Sequence, residues 1–399
     1  MGRNAELAEE AARVLATTYA QFPLALVRGA GARVWDADGA EYLDFVAGIA
    51  VTALGHCHPQ VTAALQAQAQ TLLHVSNLYY IEPQIQLAKL LCRHSFADRA
   101  FFCNSGAEAN EAAIKLARKY AKDHLSTDRY EIICMHGSFH GRTLAALTAT
   151  GQAKYHHGFE PLVPGFKHVP FNDLKAVERA MDSRTCAVMV EPVQGEGGVV
   201  VPDPGYLPGL RRLCDAAGAL LILDEVQVGM GRIGSLFAYQ QANIEPDILT
   251  LAKALANGVP IGALLAKEAV AASFTPGTHA ATFGGNPLAT AAAVAVVTTM
   301  LEERIPEHAA RIGKYCMERL EALRARHPRI REVRGKGLLI GIEIDGSARD
   351  VVRRCMARGL LTLTAGDTVV RLTPPLIVTE ADVDRAVAIL GQALEDVAG

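Results

Sequence analysis

Short apolar runs alternate with longer stretches of helical periodicity through the middle of the chain. Several of these runs are continuous rather than alternating, as expected for strands that helices cover on both faces. The runs that predict strands are 99–103, 131–135, 186–190, 219–223 and 262–265. The stretches that predict helices are 107–122, 203–217 and 286–303. This alternation favours an α/β fold with a mostly parallel, doubly wound central sheet.

The C-terminal part of the chain follows another pattern. Residues 338–344 and 369–372 predict two strands. Thr379 followed by Asp382 resembles a capping box, so a last amphipathic helix is predicted over 380–397.

The N-terminal segment, 1–60, contains a predicted hairpin over 32–43. The chain of 399 residues is too long for one simple core and suits a large domain plus a smaller one. We place the large domain at 61–305 and a small domain at 306–399. The N-terminal segment is expected to pack with the small domain.

Composition narrows the class of protein. The chain is 50% hydrophobic and 20% charged, which is typical of a globular enzyme. A net charge of -3 gives no electrostatic argument for binding nucleic acid or an anionic membrane. The 8 scattered cysteines form no CxxC pair and the N-terminus is acidic and polar, so we expect reduced thiols and a cytoplasmic protein without a secretory signal. The Ala-rich run 288–300 is too short to span a bilayer and predicts a buried helix.

Lys253 and Asp224 carry the most specific chemistry. Lys253 lies among small apolar residues, and Asp224 directly follows the predicted strand 219–223. Desolvation lowers the pKa of a lysine and makes its amine a nucleophile able to form a Schiff base. An acid at the end of a strand can hold a ring nitrogen protonated, and Gln227 can hydrogen-bond a phenolic oxygen of the same ring. These are the groups that pyridoxal phosphate requires, and we expect them at one sheet edge.

Two segments are candidates for binding a phosphate. Asn104 to Asn110 follows an apolar strand and opens a helix, so the backbone N–H groups of its small residues can approach an anion. An ordinary strand-to-helix turn explains this segment equally well. Thr282 precedes a glycine pair and another helix start, where its hydroxyl can donate to a phosphate.

Other side chains have the chemistry to bind a ring or a carboxylate. Phe139 can lie on a flat ring, and Arg142 can grip a carboxylate with its fork. A core phenylalanine and a surface arginine are the plain alternative. Arg371 lies inside an apolar strand, where an arginine is costly unless it meets an anion. Glu196, in a glycine-rich loop, can pair with such an arginine, although loop acids are usually only solvated.

Two other motifs indicate different chemistry. His136 with His140, and His56 with His58, have spacings that metal ligands can adopt, but glycines break the first pair's helix and no acid completes a ligand set. We therefore predict no metal. The segment 229–234 matches the GxGxxG pattern of nicotinamide dehydrogenases, but it does not directly follow the strand and no acid follows at the required distance.

Taken together, these ordered segments resemble the class III aminotransferases along nearly the whole chain. The resemblance implies pyridoxal 5'-phosphate as cofactor and fold type I: a mostly parallel central sheet covered by helices, with a smaller α/β domain built from the C-terminus and the N-terminal segment. Residues 42–51, 76–80 and 282–286 resemble the branch of this family that acts on N2-acetylornithine, whose members are typically cytoplasmic homodimers.

The resemblance also implies roles for individual residues. Lys253 carries the Schiff base and then moves the proton. The cofactor-binding set is Gly106, Ala107, Phe139, Asp224, Glu225, Val226, Gln227, Lys253 and, from the partner subunit, Thr282. Arg142 takes the substrate carboxylate far from the reacting amine, and Arg371 takes the α-carboxylate of 2-oxoglutarate or glutamate. Glu196 occupies Arg371 while an ω-amine donor is bound, and Ala281 lies near the substrate.

The implied reaction moves the δ-amino group of N2-acetylornithine to 2-oxoglutarate in arginine biosynthesis. Val228, Ala281 and Thr52 stand where the family commonly has threonine, serine and asparagine. Ile49 stands where ornithine aminotransferases carry a tyrosine, which disfavours free ornithine as donor. Succinylornithine, succinyl-diaminopimelate, 4-aminobutyrate and ornithine remain alternative donors within the same fold.

Overall fold

The computed structural model describes residues 2–395. The helices are α1 (Arg3–Val14), α2 (Ala47–Ala50), α3 (Pro59–Thr71), α4 (Glu82–Arg93), α5 (Gly106–His124), α6 (Leu144–Ala149), α7 (Leu174–Ala180), α8 (Tyr206–Ala217), α9 (Glu268–Ala271), α10 (Pro287–Glu302), α11 (Ile305–Arg324), α12 (Ala348–Ala357) and α13 (Glu380–Glu395). The strands are β1 (Leu26–Ala30), β2 (Arg33–Asp36), β3 (Glu41–Asp44), β4 (Arg99–Cys103), β5 (Glu131–Met135), β6 (Phe166–Val169), β7 (Thr185–Val190), β8 (Leu220–Asp224), β9 (Ile248–Leu251), β10 (Gly262–Ala266), β11 (Ile330–Lys336), β12 (Leu339–Ile344), β13 (Leu360–Leu361), β14 (Leu363–Ala365) and β15 (Val369–Leu372). Short 3₁₀ turns lie at Ala153–Tyr155, Ala238–Ala242 and Lys253–Ala256.

The central sheet has seven strands in the order β4-β10-β9-β8-β7-β5-β6. It is parallel except for β10, which runs antiparallel to β4 and to β9. Leu221 and Leu223 belong to a core on one face, whereas Leu220 and Ile222 belong to a second core on the other. Because both faces are covered, these strands read as continuous apolar runs. The predicted mostly parallel α/β sheet is confirmed.

The N-terminal strands form a second sheet in the order β1-β2-β3-β13. The predicted hairpin is the antiparallel pair β2–β3, and β13 joins it in parallel through Leu360 opposite Leu43. The N-terminal segment thus pairs with a strand from the C-terminal part of the chain. The domain boundaries proposed above remain a prediction.

The third sheet, β11-β12-β15-β14, is antiparallel and carries Arg371 opposite Gly341. After it, Thr379 and Asp382 open α13 reciprocally: the Asp382 amide donates to Thr379 Oγ1 (3.2 Å), and the Thr379 amide donates to Asp382 Oδ2 (3.0 Å). The predicted capping box is therefore confirmed. The predicted end of the helix, at 397, lies outside the described residues.

Some predicted elements needed correction. The strand predicted at 219–223 is β8, one residue later, because the preceding helix ends on the left-handed Gly218. Strands β6 and β9 were not predicted. Each has only four residues, and Lys167 and His168 interrupt the apolar pattern of β6.

The segment α2 is a left-handed turn rather than an ordinary helix. Ala47, Gly48, Ile49 and Ala50 all have φ between 50° and 67°. Residues other than glycine rarely adopt this conformation, so surrounding contacts must hold the turn. Asp44 Oδ1 accepts hydrogen bonds from the amides of Val46 (2.8 Å) and Ala47 (2.9 Å), which fixes its first residues.

Along residues 2–395, each helix is too short or too polar to cross a lipid bilayer.

Candidate active site

A cleft of about 370 Å³ opens where the carboxyl ends of the central strands meet. Open α/β sheets bind ligands at this position, since helix N-termini and strand ends converge there. The predicted site residues that line it are Gly106, Ala107, Phe139, Arg142, Asp224, Val226, Gln227 and Lys253. Segments separated by more than a hundred positions in sequence therefore converge on one cavity.

Lys253 follows β9 and begins a 3₁₀ turn with a left-handed backbone (φ 43°). Burial lowers the pKa of its amine to about 8, although the nearby Glu196 carboxylate acts in the opposite direction. A larger share of the amine is consequently unprotonated near neutral pH than for an exposed lysine. This is the state needed for nucleophilic attack.

Asp224 ends β8 and is only 3% exposed. Three donors converge on its carboxylate: Asn110 Nδ2 (2.7 Å) and His140 Nδ1 (2.7 Å) at Oδ2, and the Val226 amide (3.0 Å) at Oδ1. Thr250 Oγ1 donates in turn to Asn110 Oδ1 (2.7 Å). This network fixes the orientation of the carboxylate, as required to hold a cationic ring nitrogen.

Asn110, His140 and Thr250 were not predicted as site residues. Asn110 is buried on the inner face of α5, where every other buried residue is apolar. A buried polar residue needs a partner, so that position was the one signal in the sequence.

The start of α5 is shaped to receive an anion. Ser105 Oγ accepts a hydrogen bond from the Glu108 amide (3.1 Å), which fixes the first turn. The amides of Gly106 and Ala107 lie in that turn and line the cleft, and first-turn amides have no partner inside the helix. Gly262 packs so closely beneath the loop that a Cβ atom would lie 2.2 Å from Ser105 O. The turn and its dipole therefore favour a phosphate.

Arg371 and Glu196 form an ion pair beside Lys253. Arg371 is 2% exposed, and its Nη1 donates to Glu196 Oε1 (2.6 Å) and to Gln227 Oε1 (3.1 Å). Burial raises the pKa of Glu196, but Arg371 and Lys253 outweigh it and hold that pKa below its ordinary value. Within residues 2–395, Arg371 Nε is buried without a partner.

Arg142 lies at the mouth of the same cleft and is exposed. Its guanidinium carbon is 4.0 Å from the ring centre of Tyr155 and 5.6 Å from that of Phe139. The two arginines therefore sit in different surroundings, one buried and paired, the other open to solvent.

Glu191 is a further cleft residue that sequence reasoning missed. Its carboxylate accepts hydrogen bonds from the amides of Phe139 (2.9 Å) and Gly195 (3.4 Å). It thereby ties the loop of Phe139 to the loop of Glu196. Burial raises its pKa to about 7, although His140 acts in the opposite direction.

Five predicted site residues do not line this cleft: Arg371 and Glu196, which form the ion pair described above, and Glu225, Ala281 and Thr282. Glu225 turns away from it, because its carboxylate accepts hydrogen bonds from the amides of Ala238 (2.6 Å) and Tyr239 (2.8 Å). Its assignment to the cofactor stays a prediction. Ala281 and Thr282 border a separate surface groove, and Thr282 is exposed there.

The two competing interpretations find no matching geometry. His136 stacks on His168 with ring centres 6.0 Å apart, and His140 contacts Asp224. Across residues 2–395, no cluster of His, Cys, Asp or Glu side chains is arranged to hold a metal ion. Residues 229–234 form a series of turns instead of a strand-to-helix junction, so the dinucleotide interpretation is wrong.

The donor set fits pyridoxal 5'-phosphate. One cavity is lined by the buried Asp224 carboxyl group, a lysine with a lowered pKa, an anion-binding helix start and the Phe139 ring. Each part of the cofactor thus has a complementary group in the cleft.

Comparisons with known proteins agree with this chemistry. The family model for Aminotransferase class-III matches residues 14–394. The chain is 51% identical over 386 residues to the acetylornithine aminotransferase of Caldanaerobacter subterraneus, covering 96% of this chain and 98% of the relative. It is 53% identical over 380 residues to the acetylornithine aminotransferase of Myxococcus xanthus, covering 95% of each.

Solved structures show the same architecture. An ornithine aminotransferase from Toxoplasma gondii, with partial occupancy of pyridoxal phosphate at its active site, superposes with a TM-score of 0.96 at 36% identity, covering 99% of this chain and 95% of that one. The N-acetylornithine aminotransferase of Stenotrophomonas maltophilia superposes with a TM-score of 0.84 at 40% identity, covering 95% and 98%.

Proposed function

Because the chain belongs to the class-III aminotransferases, we propose that it moves the δ-amino group of N2-acetylornithine to 2-oxoglutarate. The products are N-acetylglutamate 5-semialdehyde and glutamate, and the reaction serves arginine biosynthesis. Pyridoxal 5'-phosphate is the cofactor, and when bound it supplies the aldehyde that accepts an amino group from one substrate and passes it to the other. The acetylornithine aminotransferases at 51% and 53% identity support this choice of donor.

Within the cleft, the chain's own residues position the cofactor and move protons. Lys253 Nζ would bond the aldehyde carbon and, once released from it, would carry the proton between substrate and cofactor. Asp224 would hold the ring nitrogen in its cationic form. The amides of Gly106 and Ala107 would bind the phosphate, and Phe139 and Val226 would cover the ring.

The pair of Arg371 and Glu196 is the observation that carries the substrate assignment. The two substrates present different charges next to the reacting carbon: glutamate has a carboxylate there, whereas the δ-carbon of N2-acetylornithine has none. Glu196 neutralises Arg371 when the acetylornithine donor is bound, which avoids an unpaired buried cation. For glutamate or 2-oxoglutarate, the substrate carboxylate replaces Glu196 at Arg371.

Arg142 is placed to bind the carboxylate at the far end of the donor. The α-carboxylate of N2-acetylornithine lies at the end of the molecule that points away from the reacting amine. Arg142, at the cleft mouth, has the fork geometry to bind it. One cleft thus serves both substrates in turn.

We also propose that the chain acts as a cytoplasmic homodimer whose active sites are shared. Large apolar side chains are exposed near Thr282, and a second copy of the chain would cover them. They are Leu72, Leu73, Leu78, Tyr79, Tyr80 and Phe283. The partner's Thr282 would then reach the phosphate. All 8 cysteines are unpaired, as is typical of a reducing compartment.

A half-reaction experiment tests the donor assignment. The cofactor-loaded protein is mixed, without keto acid, with N2-acetylornithine, succinylornithine, ornithine or 4-aminobutyrate, and loss of the cofactor's visible absorbance is followed by stopped flow. We expect the highest kcat/KM for N2-acetylornithine. A faster reaction with another donor would replace the substrate assignment, and absence of the absorbance band after added cofactor would contradict the enzyme assignment.

A further inference from the structure

We propose that Tyr155 is a positioning residue, whose ring holds Arg142 at the cleft mouth for the donor's α-carboxylate. This inference rests on the proposed function and deepens it, because it names what determines specificity at the far end of the donor. Tyr155 does not line the cleft itself, so it acts through Arg142.

The Arg142 guanidinium packs against two aromatic rings. Its central carbon lies 4.0 Å from the Tyr155 ring centre and 5.6 Å from that of Phe139. The rings meet edge to face, with centres 5.8 Å apart and planes at 83°. A guanidinium over the face of a ring is attracted by the ring's quadrupole, and this contact uses none of its N–H donors.

The guanidinium keeps its donors free for a ligand. Along residues 2–395, no carboxylate forms an ion pair with Arg142. Glu111, an acid close to this loop, is already engaged: its Oε1 accepts from Thr143 Oγ1 (2.6 Å) and from the amides of Ala145 (3.0 Å) and Ala146 (3.1 Å). The contact with the aromatic rings therefore orients the arginine. A salt bridge would also orient it, but its carboxylate would compete with the ligand for the guanidinium.

Hydrogen bonds fix the segment before Tyr155 to the loop that carries Phe139. The Gly137 amide donates to Gly151 O (2.9 Å), and the Gly151 amide donates to Ser138 Oγ (3.0 Å). Gln152 Nε2 adds a bond to Ser138 O (3.1 Å). Because Tyr155 follows directly in the Ala153–Tyr155 turn, its ring keeps one position relative to Phe139 and the cleft.

Two amino-donor substrates, one with and one without the α-carboxylate, distinguish this positioning role from a general structural one. N-(4-aminobutyl)acetamide is N2-acetylornithine without its α-carboxylate, so it cannot use Arg142. Tyr155→Leu is expected to lower kcat/KM for N2-acetylornithine by about 3- to 30-fold, mainly through KM. It should leave kcat/KM for N-(4-aminobutyl)acetamide unchanged. Tyr155→Phe keeps the ring and should behave like the unaltered enzyme.

The ratio of kcat/KM for the two donors is the quantity to compare, because it does not depend on the fraction of active protein. Tyr155→Met is a second variant without the ring, should Tyr155→Leu fold poorly. Equal losses with both donors, or the same loss in Tyr155→Phe, would overturn the inference. Arg142→Met is measured in parallel. If Arg142→Met leaves the ratio unchanged, the carboxylate is bound elsewhere. That result would overturn both the role of Arg142 in the proposed function and this inference. If Arg142→Met lowers the ratio and the Tyr155 variants do not, only the positioning role of Tyr155 is wrong.

Discussion

The Asp224 carboxylate is buried, and the hydrogen-bond donors around it fix its orientation. Asn110 and His140 both bind Oδ2, and Thr250 orients Asn110 from the next strand. Without these donors the carboxylate would be buried without hydrogen bonds and would no longer be oriented toward a ring nitrogen.

The contribution of these hydrogen bonds to cofactor binding can be measured by replacing Asn110. Asn110→Ala leaves Asp224 Oδ2 with one donor fewer, and a hydrogen bond to a charged group contributes about 1.5–3 kcal/mol. We expect the affinity for pyridoxal phosphate to fall by about 10- to 100-fold, measured by absorbance titration of the cofactor-free protein. Thr250→Val removes only the bond that orients Asn110 and should have a smaller effect. An unchanged affinity in Asn110→Ala would contradict the proposed role of the network.

The lowered pKa of Lys253 leads to a prediction about stability and pH. In the folded, cofactor-free protein its pKa is about 8, against a reference value of 10.5. Between these pH values the unfolded chain holds the proton that the folded chain has lost, so this residue makes stability rise with pH. Below pH 8 the cost of burying the ammonium is fully present. Lys253→Met should therefore raise the thermal midpoint of the cofactor-free protein most below pH 8, and the gain should shrink towards pH 10.5. A gain that does not vary with pH would contradict the shift.

Sequence reasoning found the residues whose local context was unusual. Lys253, Asp224 and Arg371 are charged residues inside or beside apolar runs, which a sequence shows directly. Tyr155 lies in ordinary polar surroundings along the chain, and only the fold brings it next to Arg142. Glu191 does follow an apolar strand, but only the fold shows that its carboxylate binds the Phe139 amide.

Two elements meet at Arg371: strand β15, which carries it, and the loop that carries Glu196. Arg334 Nε donates to Gly198 O (2.9 Å), and the Gln194 amide donates to Val200 O (3.1 Å), so the backbone of this loop is held on both sides of its tip. Arg371→Ala should damage the glutamate half-reaction about 10- to 100-fold more than the acetylornithine half-reaction, because only the former places a carboxylate at Arg371. Single-turnover rates of each half-reaction measure this difference. Equal losses would refute the exchange of anions, and Arg371→Lys, which keeps charge without the fork, should give an intermediate result.

The left-handed turn α2 makes a prediction about stability at the scale of an element. Asp44 binds the amides at the start of the turn, and its Oδ2 lies 2.7 Å from His56 Nε2. Asp44→Ala leaves these donors unsatisfied, and we expect it to lower the free energy of unfolding by about 2–4 kcal/mol. Asp44→Asn retains one acceptor oxygen and should recover part of that loss. Equal thermal midpoints for all three proteins would show that the turn is held by other contacts.

The elements that sequence patterns predicted are those with long, one-sided or fully covered apolar runs. Strands β7 and β8 could be predicted because their side chains enter two different apolar cores, both buried, which makes each strand a continuous apolar run. The turn α2 could not be predicted, because its conformation depends on Asp44 and on Thr373, whose Oγ1 donates to Val46 O (2.9 Å) from the far end of the chain.

At the scale of the whole molecule, the position of Thr282 bears on the proposed homodimer. Thr282 is exposed in a groove outside the Lys253 cleft, beside Asn77, whose Nδ2 donates to Ala281 O (3.1 Å) and Gly284 O (2.9 Å). These bonds fix the loop of Thr282 without any contact to its own cleft. In the proposed homodimer, each site therefore combines Lys253 of one chain with the partner's Thr282.

A mixing experiment separates shared sites from independent ones. Lys253→Ala removes the nucleophile, and Thr282→Glu would place a carboxylate against the phosphate, so each homodimer should be inactive. In a mixed dimer with shared sites, one site receives both defects and the other receives neither. Random re-association of the two variants should restore about one quarter of the unaltered activity, since half of the dimers then contain one intact site. Mixing Lys253→Ala with Asp224→Ala is the control: both residues line the same cleft of one chain, so every site keeps a defect and no activity should return. If the Thr282→Glu mixture also stays inactive although mixed dimers form, Thr282 does not serve the partner's site and the shared-site proposal is wrong.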